Sequence, residues 1–392
     1  MNKVIQSAAD DIKLPKEFFS IAKKVYQGDP NWIPEQEEKV RSQFSEDNSY
    51  FSNNKAKVFV HESNARLVGF YNPTVVIEDE NVAYFGFWET INDSKVTATL
   101  FTDFEAWAKE CGANRIYGPI NFSTYQGNRL RIDAFDQAPF IDEPYNPSYY
   151  PSLIKEHGYE VKYHYLTGIN QNLPNLIKQL APSFKMMNKK LEGMFNFEPL
   201  NEKVWLENLE NLYPLVDSIF SENFAYTPIS WENFQVQCGE RFAKKMCPKT
   251  SMLVRDNDGE IAAFFITYPD YGSLVNQQGI EESGDAANEL NSSDISFDLH
   301  YPLLKTPRLL LAKTAGIAHK YRAYGLFPLM IMRIASAAKD SYEHMAGAMG
   351  REDNPSLSIY HKLVAEGNVD FVPRNYALFT KSLDNTDSSE GK

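Results

Sequence analysis

The stretch from Arg308 to Lys339 constrains this chain most. An apolar run, Leu309 to Ala312, gives way to a basic turn with His319, Lys320 and Arg322, closed by Gly325, and an amphipathic segment then begins at Leu326. That order predicts a strand, a glycine-containing loop and a helix. Such a junction cradles anions, because the first backbone N–H groups of a helix lack intrahelical partners and face whatever docks there. No Asp or Glu occurs between Asp298 and Asp340, whereas Lys305, Arg308, Lys313, Lys320, Arg322, Arg333 and Lys339 all do. In a chain of net charge −13, a locally positive turn points to a phosphorylated ligand.

With 392 residues, the chain exceeds one typical core, and two domains are expected. The hydrophobic share of 43% and aromatic share of 14% supply ample material to bury, which excludes wholesale disorder. The negative balance argues against a nucleic-acid or anionic-membrane partner, since either is repelled at long range. Cys111, Cys238 and Cys247 are far apart, a pattern of thiols in a reducing compartment and not of a disulfide framework or a metal site. The N-terminal residues hold no apolar core of a secretory signal, and no window approaches the roughly 20 apolar residues of a membrane helix. The expectation is a cytoplasmic protein that requires no metal.

Along the chain, a helix is predicted from Pro15 to Val25, a hairpin over Val58–His61 and Ala65–Tyr71 with Ser63-Asn64 at its turn, and a buried strand over Ala83–Glu89. Asp93 or Ser94 caps a helix whose apolar positions include Val96, Leu100, Phe104 and Trp107, with Gly112 as its stop. A second hairpin, Ser251–Arg255 and Ile261–Tyr268, turns at Asp256-Asn257-Asp258-Gly259. The polar, acidic segment 272–294 reads as a mobile insertion. The two halves share an order of helix, hairpin, buried strand, helix and strand, and then a segment that starts Asn-Pro-Ser, at Asn146 and at Asn354. Duplication accounts for that order. The expected division is 1–171 for the first domain, 172–200 for a connector, 201–381 for the second domain and 382–392 for a frayed tail.

On these residues the second half, roughly 205–380, resembles the GNAT superfamily of acyl-CoA-dependent N-acyltransferases. Arg322-Ala323-Tyr324-Gly325-Leu326-Phe327 is similar to the family's pyrophosphate loop, R/Q-x-x-G-x-G/A, and Asn354 to Leu363 to its later Asn/Tyr motif. Phe327 stands where the family has Gly or Ala. The pattern FGFWE, GPINFS, YNPSYY in the first half looks like bacterial GNAT-like proteins of uncharacterised role, without the glycine loop. The resemblance implies an α/β (α+β) fold of two tandem GNAT-like domains, each a mixed, twisted sheet flanked by helices, the first of them degenerate.

It also implies transfer of an acyl group from acetyl-CoA or another acyl-CoA, or from an acyl carrier protein, to a small-molecule amine. Ala315, Gly316, Ile317, Lys320, Arg322, Ala323, Tyr324, Gly325, Leu326, Phe327 and Asn354 are then the cofactor-binding residues. Tyr360 returns a proton to the departing thiolate, and Glu89, at the end of an apolar strand, is a base or an amine contact. Asn121, Ser123, Tyr145, Asn146 and Tyr149 are candidates for an acceptor pocket. The competing reading is a non-catalytic GNAT-fold protein that binds a small molecule or a partner.

Overall fold

The computed structural model describes residues 12, 14–46, 48–275, 290 and 292–383. Its strands in the first half are β1 (Lys55–His61), β2 (Ala65–Ile77), β3 (Glu80–Thr90), β4 (Arg115–Gly118), β5 (Leu130–Arg131) and β6 (Glu160–Asn170). Then follow β7 (Phe195–Pro199), β8 (Met252–Asp256), β9 (Ile261–Pro269), β10 (Leu309–Ile317), β11 (His344–Arg351) and β12 (Phe371–Ser382). The helices used below are α1 (Lys16–Val25), α2 (Ser94–Glu110), α3 (Tyr150–Glu156), α4 (Leu173–Lys190), α5 (Leu209–Phe220), α6 (Leu326–Ala338) and α7 (Ser358–Ala365).

The described residues form two compact units, one from those within 12–164 and 375–383, the other from those within 165–374. The first has the sheet order β1-β2-β3-β4-β12, with β5 also on β12; the second has β7-β8-β9-β10-β11-β6. Neighbours are antiparallel except β3 with β4 and β10 with β11, which are parallel. A parallel pair needs a crossover, and α2 and α6 supply it. The last strand of each sequence half is exchanged: residues 165–170 of β6 lie on β11, and residues 379–382 of β12 lie on β4.

Local signals explain most elements. Asp93 caps α2 by accepting from the amides of Lys95 (2.9 Å) and Val96 (3.1 Å). The core face of α2, with Leu100, Phe101, Phe104 and Trp107, packs on Phe59, Leu67 and Phe85 of the sheet. In the second unit, Leu326, Leu329, Met330 and Ile334 of α6 pack with Leu310, Ala312 and Phe265.

The domain limits read from sequence differ from this division. The expected connector is structural: α4 runs to Lys190, with Leu173, Leu176 and Leu180 in the second core, and β7 joins the sheet. Pro182 sits inside α4 but is exposed. Ser382 ends β12 and Leu383 is buried, so neither of these two residues is frayed. Residues 384–392, and most of the expected insertion over 272–294, lie outside the described residues.

Candidate functional site

In the second unit, β10 and β11 pair only from Leu309–His344 to Ala312–Gly347. Both strands then bulge. Lys313 is the extra residue of β10 against β9, and Ala348 and Met349 together face Thr167 alone on β6. Met349 takes a left-handed φ of 53°, and its amide donates to the Thr167 hydroxyl at 3.0 Å. A bulge bends its strand and ends regular pairing, so the two parallel strands part. From Thr314 to Ile317, β10 pairs with β9 on one side, and its other side meets no strand among the described residues. That open edge can take the amides of an extended ligand, as an added strand would.

The floor of the opening is bare. Gly347 is exposed, and a Cβ built on it meets nothing within 4 Å. Its rung partner Gly168 sits under the Tyr360 ring, which a Cβ there would meet at 2.6 Å. Tyr360 thus projects from α7 onto the sheet beside the gap, edge-on to Phe371 at 5.1 Å. Burial pushes its phenol above the ordinary value, so at neutral pH it carries its proton. Asn354 is exposed and caps the turn before α7, accepting from the Ser356 amide at 2.9 Å.

The loop before α6 is a 3₁₀ turn, His319–Tyr324, that ends on Gly325 at φ 87°, ψ 26°. Only glycine takes that conformation without cost, and a Cβ would also meet Met187 of α4 at 2.1 Å. No side chain caps α6, which leaves the first-turn amides of Leu326 and Phe327 as donors and keeps the positive end of the helix dipole open. Phe327 does not block this end: its ring lies on Phe265 of β9 at 5.7 Å, nearly parallel, within the helix–sheet packing. Ala315 and Ile317 pack toward the same core, and Gly316 turns to the opposite face against Phe264.

The cations of the loop have partners that the acid-free stretch concealed. Arg322 bonds Glu222 at 2.5 Å, and Lys320 reaches Asp256 at 3.3 Å. Tyr321 also donates to Asp256, and this bond, with those from Lys320 and two amides, lowers that carboxyl to about 2. The Arg322–Glu222 pair is exposed, and exposed pairs are worth little, so a phosphate can displace it; Asp256 is largely shielded and holds Lys320 and Tyr321 in place. Ala323 and Tyr324 are exposed on the outer side of the turn.

The first unit closes the matching gap itself. β3 pairs with β4 only over Val82–Tyr84 and carries a bulge at Phe87, whose φ is 48°. The following loop fills the space: the Ile120 amide donates to the Phe85 carbonyl at 2.7 Å, and Asn121 Oδ1 accepts from the Phe87 amide at 2.8 Å. Asn121 is therefore a brace of β3. Ser123 belongs to the same loop, where its amide donates to the Asn121 carbonyl. Asn146 is likewise a brace, buried and bonded to both the amide (2.8 Å) and the carbonyl (3.2 Å) of Arg131.

Glu89, Tyr145 and Tyr149 do come together, with residues that the sequence did not single out. Tyr150 donates to Glu89 Oε2 at 2.6 Å and accepts from the Thr90 amide at 2.8 Å. Tyr26 lies 3.4 Å from Glu89 Oε1 and 3.3 Å from the Tyr145 carbonyl, and stacks on Trp32 at 5.0 Å. Tyr145 donates to Asp29 at 2.7 Å, and Tyr149 to the Thr90 carbonyl at 2.8 Å. Arg66, opposite Glu89 on β2, is fully buried and bonds Glu35 at 2.7 Å. Withdrawal from water raises the Glu89 carboxyl to about 7, with Arg66 opposing and Glu35 adding to the rise. Glu89 nevertheless keeps partial solvent contact, as a proton-exchanging group requires.

A raised carboxyl stabilises the fold below its unfolded pKa and loses that contribution as pH climbs through the folded one. Between pH 5 and 8 the native chain is expected to lose about 2–3 kcal/mol on this account, whereas Glu89→Gln does not lose it. Urea unfolding of both proteins at the two pH values checks this; parallel pH dependences would contradict it.

Among the described residues, no group of three or more His, Cys, Asp or Glu side chains is placed to hold a metal ion. No helix there is long and apolar enough to cross a membrane.

A mixed sheet with bulged, parting parallel strands and an uncapped helix after a basic glycine loop is the GCN5-related N-acetyltransferase (GNAT) fold, and the chain is a tandem GNAT-fold protein. It is similar to a GCN5-related glucosamine N-acetyltransferase region of a fungal multi-domain GH3 β-N-acetylglucosaminidase, at 12% identity and a TM-score of 0.50, covering 97% of this chain and 38% of that one. A tandem GNAT protein from the clavulanic acid biosynthesis pathway aligns over 99% of this chain and all of its own (100%), at 8% identity and a TM-score of 0.49. In sequence the chain is 22% identical to Protein YghO of Escherichia coli (strain K12), over 83% of this chain and 82% of that protein. No family model matches.

Proposed function

We propose that this protein is an acyltransferase that takes the acyl group of a pantetheine thioester, carried by CoA or by a carrier protein, and passes it to an amine. The observation that carries the reading is the parted β10–β11 pair, bare over Gly347 and flanked by Tyr360 and the open N-terminus of α6. The residues fit a diphosphate-tailed, amide-bearing ligand. Amides of Leu326 and Phe327 with Arg322 and Lys320 would hold the diphosphate, and the free edge of Thr314–Ile317 would take the pantetheine amides. When bound, the thioester supplies an activated acyl carbonyl.

The chain's own groups do the rest. β10 amides polarise the carbonyl. Tyr360, held protonated by burial, gives its proton to the sulfur that leaves. Glu89, near 7, belongs to the first unit's own cluster and takes no part in this step; the incoming ammonium loses its proton to solvent before the amine attacks. Asn354, as cap of the turn before α7, positions Tyr360. Cytoplasmic residence fits a CoA-dependent reaction and stays part of the proposal.

The experiment is a thermal-shift titration with acetyl-CoA and longer acyl-CoAs, followed by turnover with an amine panel. At about a hundred times its dissociation constant, a ligand that binds only the folded state adds ~2.7 kcal/mol of stability. Tyr360→Phe should lower kcat at least tenfold and leave the acyl-CoA affinity within about twofold; unchanged kcat removes it as the acid. The filled gap and the paired cations of the loop favour one second reading, a non-catalytic binding protein. Absence of any shift with every acyl-CoA would select it.

A further inference from the structure

Two stretches of this acidic chain lack acids altogether, residues 161–191 and 299–339, and they fold onto each other. The first contains α4, with Lys178, Lys185, Lys189 and Lys190; the second contains the loop and α6. Met187 of α4 abuts Gly325, Lys190 donates to the Tyr324 carbonyl at 3.2 Å, and Arg333 donates to Asn188 at 3.0 Å.

The C-terminal half of α4 contributes little to the core. Its buried residues end at Leu180, and Lys185, Met186, Lys189 and Lys190 are exposed, Met186 at 65%. Among the described residues, Lys185 and Lys189 meet no carboxylate, unlike Lys320 and Arg322. An exposed methionine between Lys185 and Lys189, neither of which meets a carboxylate among the described residues, sets an uncompensated field and an apolar anchor side by side on a chain of net charge −13. Interfaces between proteins use that combination, an apolar centre inside a charged rim.

Resting on the donor site proposed above, we infer that this end of α4 docks an acidic carrier protein that presents the acyl group on its phosphopantetheine arm. The position argues for it. Anything that feeds a pantetheine arm past Gly325 sits beside Met187 and Lys190, so a macromolecular donor has to rest on α4. Its charge selects an acidic surface. A long polyanion is disfavoured, because the field of the whole chain repels it, while a compact acidic helix meets only the local lysines. The reaction is the same from either donor: the amine nitrogen bonds the acyl carbon, the carbon–sulfur bond breaks, and the sulfur leaves with a proton as free pantetheine thiol on its carrier.

The test compares two donors on the full chain. A bacterial acyl carrier protein bearing acetyl-phosphopantetheine, and acetyl-CoA, are each titrated into the native protein and into Lys185→Glu/Met186→Ala/Lys189→Glu. The triple variant should keep its melting temperature and its acetyl-CoA affinity within about twofold. It should bind the loaded carrier at least tenfold more weakly, and native binding of the carrier should weaken as salt rises. Failure of the loaded carrier to bind a native protein that does bind acetyl-CoA would overturn the inference and spare the donor site. Equal loss of both donors in the triple variant would also overturn it, as would binding of transfer RNA or anionic vesicles, and not the carrier, through these lysines. If neither donor binds the native chain, the donor reading itself fails, and this inference with it.

Discussion

Replacing Gly347 by leucine should abolish acyl-CoA binding, weakening it by about a hundredfold or more, or ~2.7 kcal/mol, with no loss of thermal stability. The two halves of that expectation come from different observations. Gly347 has no left-handed φ, and the space over it is empty to 4 Å, so the backbone accepts a side chain and nothing must move aside. Glycine inside a strand even costs some stability relative to other residues. Yet the new isobutyl group stands on the last rung before β10 and β11 part, beside Tyr360 on Gly168. It would fill the floor that the pantetheine arm has to cross. Calorimetric titration and a melting curve read both quantities. A variant that still binds acyl-CoA with native affinity would place the donor elsewhere in the molecule.

The other large effect belongs to stability. Arg66→Ala should destabilise the first unit by about 3 kcal/mol or more, because a fully buried side chain is removed from a half-buried ion pair and from a buried carbonyl. Arg66 has no exposed surface; its guanidinium bonds Glu35 and the Phe18 carbonyl, each at 2.7 Å, and lies 4.0 Å from the centre of the Phe18 ring. Its loss leaves the carboxyl of Glu35 and a buried carbonyl without their donor, and removes the cation that opposes protonation of Glu89. A double variant separates charge from packing. Arg66→Met with Glu35→Gln keeps the volume and deletes the stranded acid, so it should be more stable than Arg66→Met alone in urea unfolding. Equal stability of the two would mean that the charge pair contributes nothing.

Much of this was legible in the sequence because it is local. The Asp93 cap, the turn at Asp256–Gly259 and the strand, loop and helix around Gly325 each depend on residues a few positions apart. Other features are set by pairing across the chain. Glu222 and Asp256 neutralise Arg322 and Lys320 from 100 and 64 residues away, which no reading of the stretch 299–339 contains. The stretch 172–200 reads as a connector with a helix from Leu173 to Leu180; that the helix runs on to Lys190 and joins a core depends on contacts with α6 far along the chain. The exchange of β6 and β12 follows from sheet order, which periodicity does not encode. Asn121 and Asn146 resemble ligand contacts in sequence, since an amide that braces a backbone and one that binds a substrate share the same chemistry. Tyr26, Glu35 and Arg66 carried no motif; only the register that sets Arg66 opposite Glu89 assembles them.

The central claim is that the free edge of β10 and the open start of α6 hold the acyl thioester. Hydrogen exchange of the intact chain with and without acetyl-CoA tests it at the atoms concerned. The account predicts slower exchange of the Thr314–Ile317 amides that face away from β9, and of Gly325 to Phe327, with the braced amides of Phe87 and Ile120 unchanged. Protection confined to the first unit, or none in either segment at saturating ligand, would contradict it.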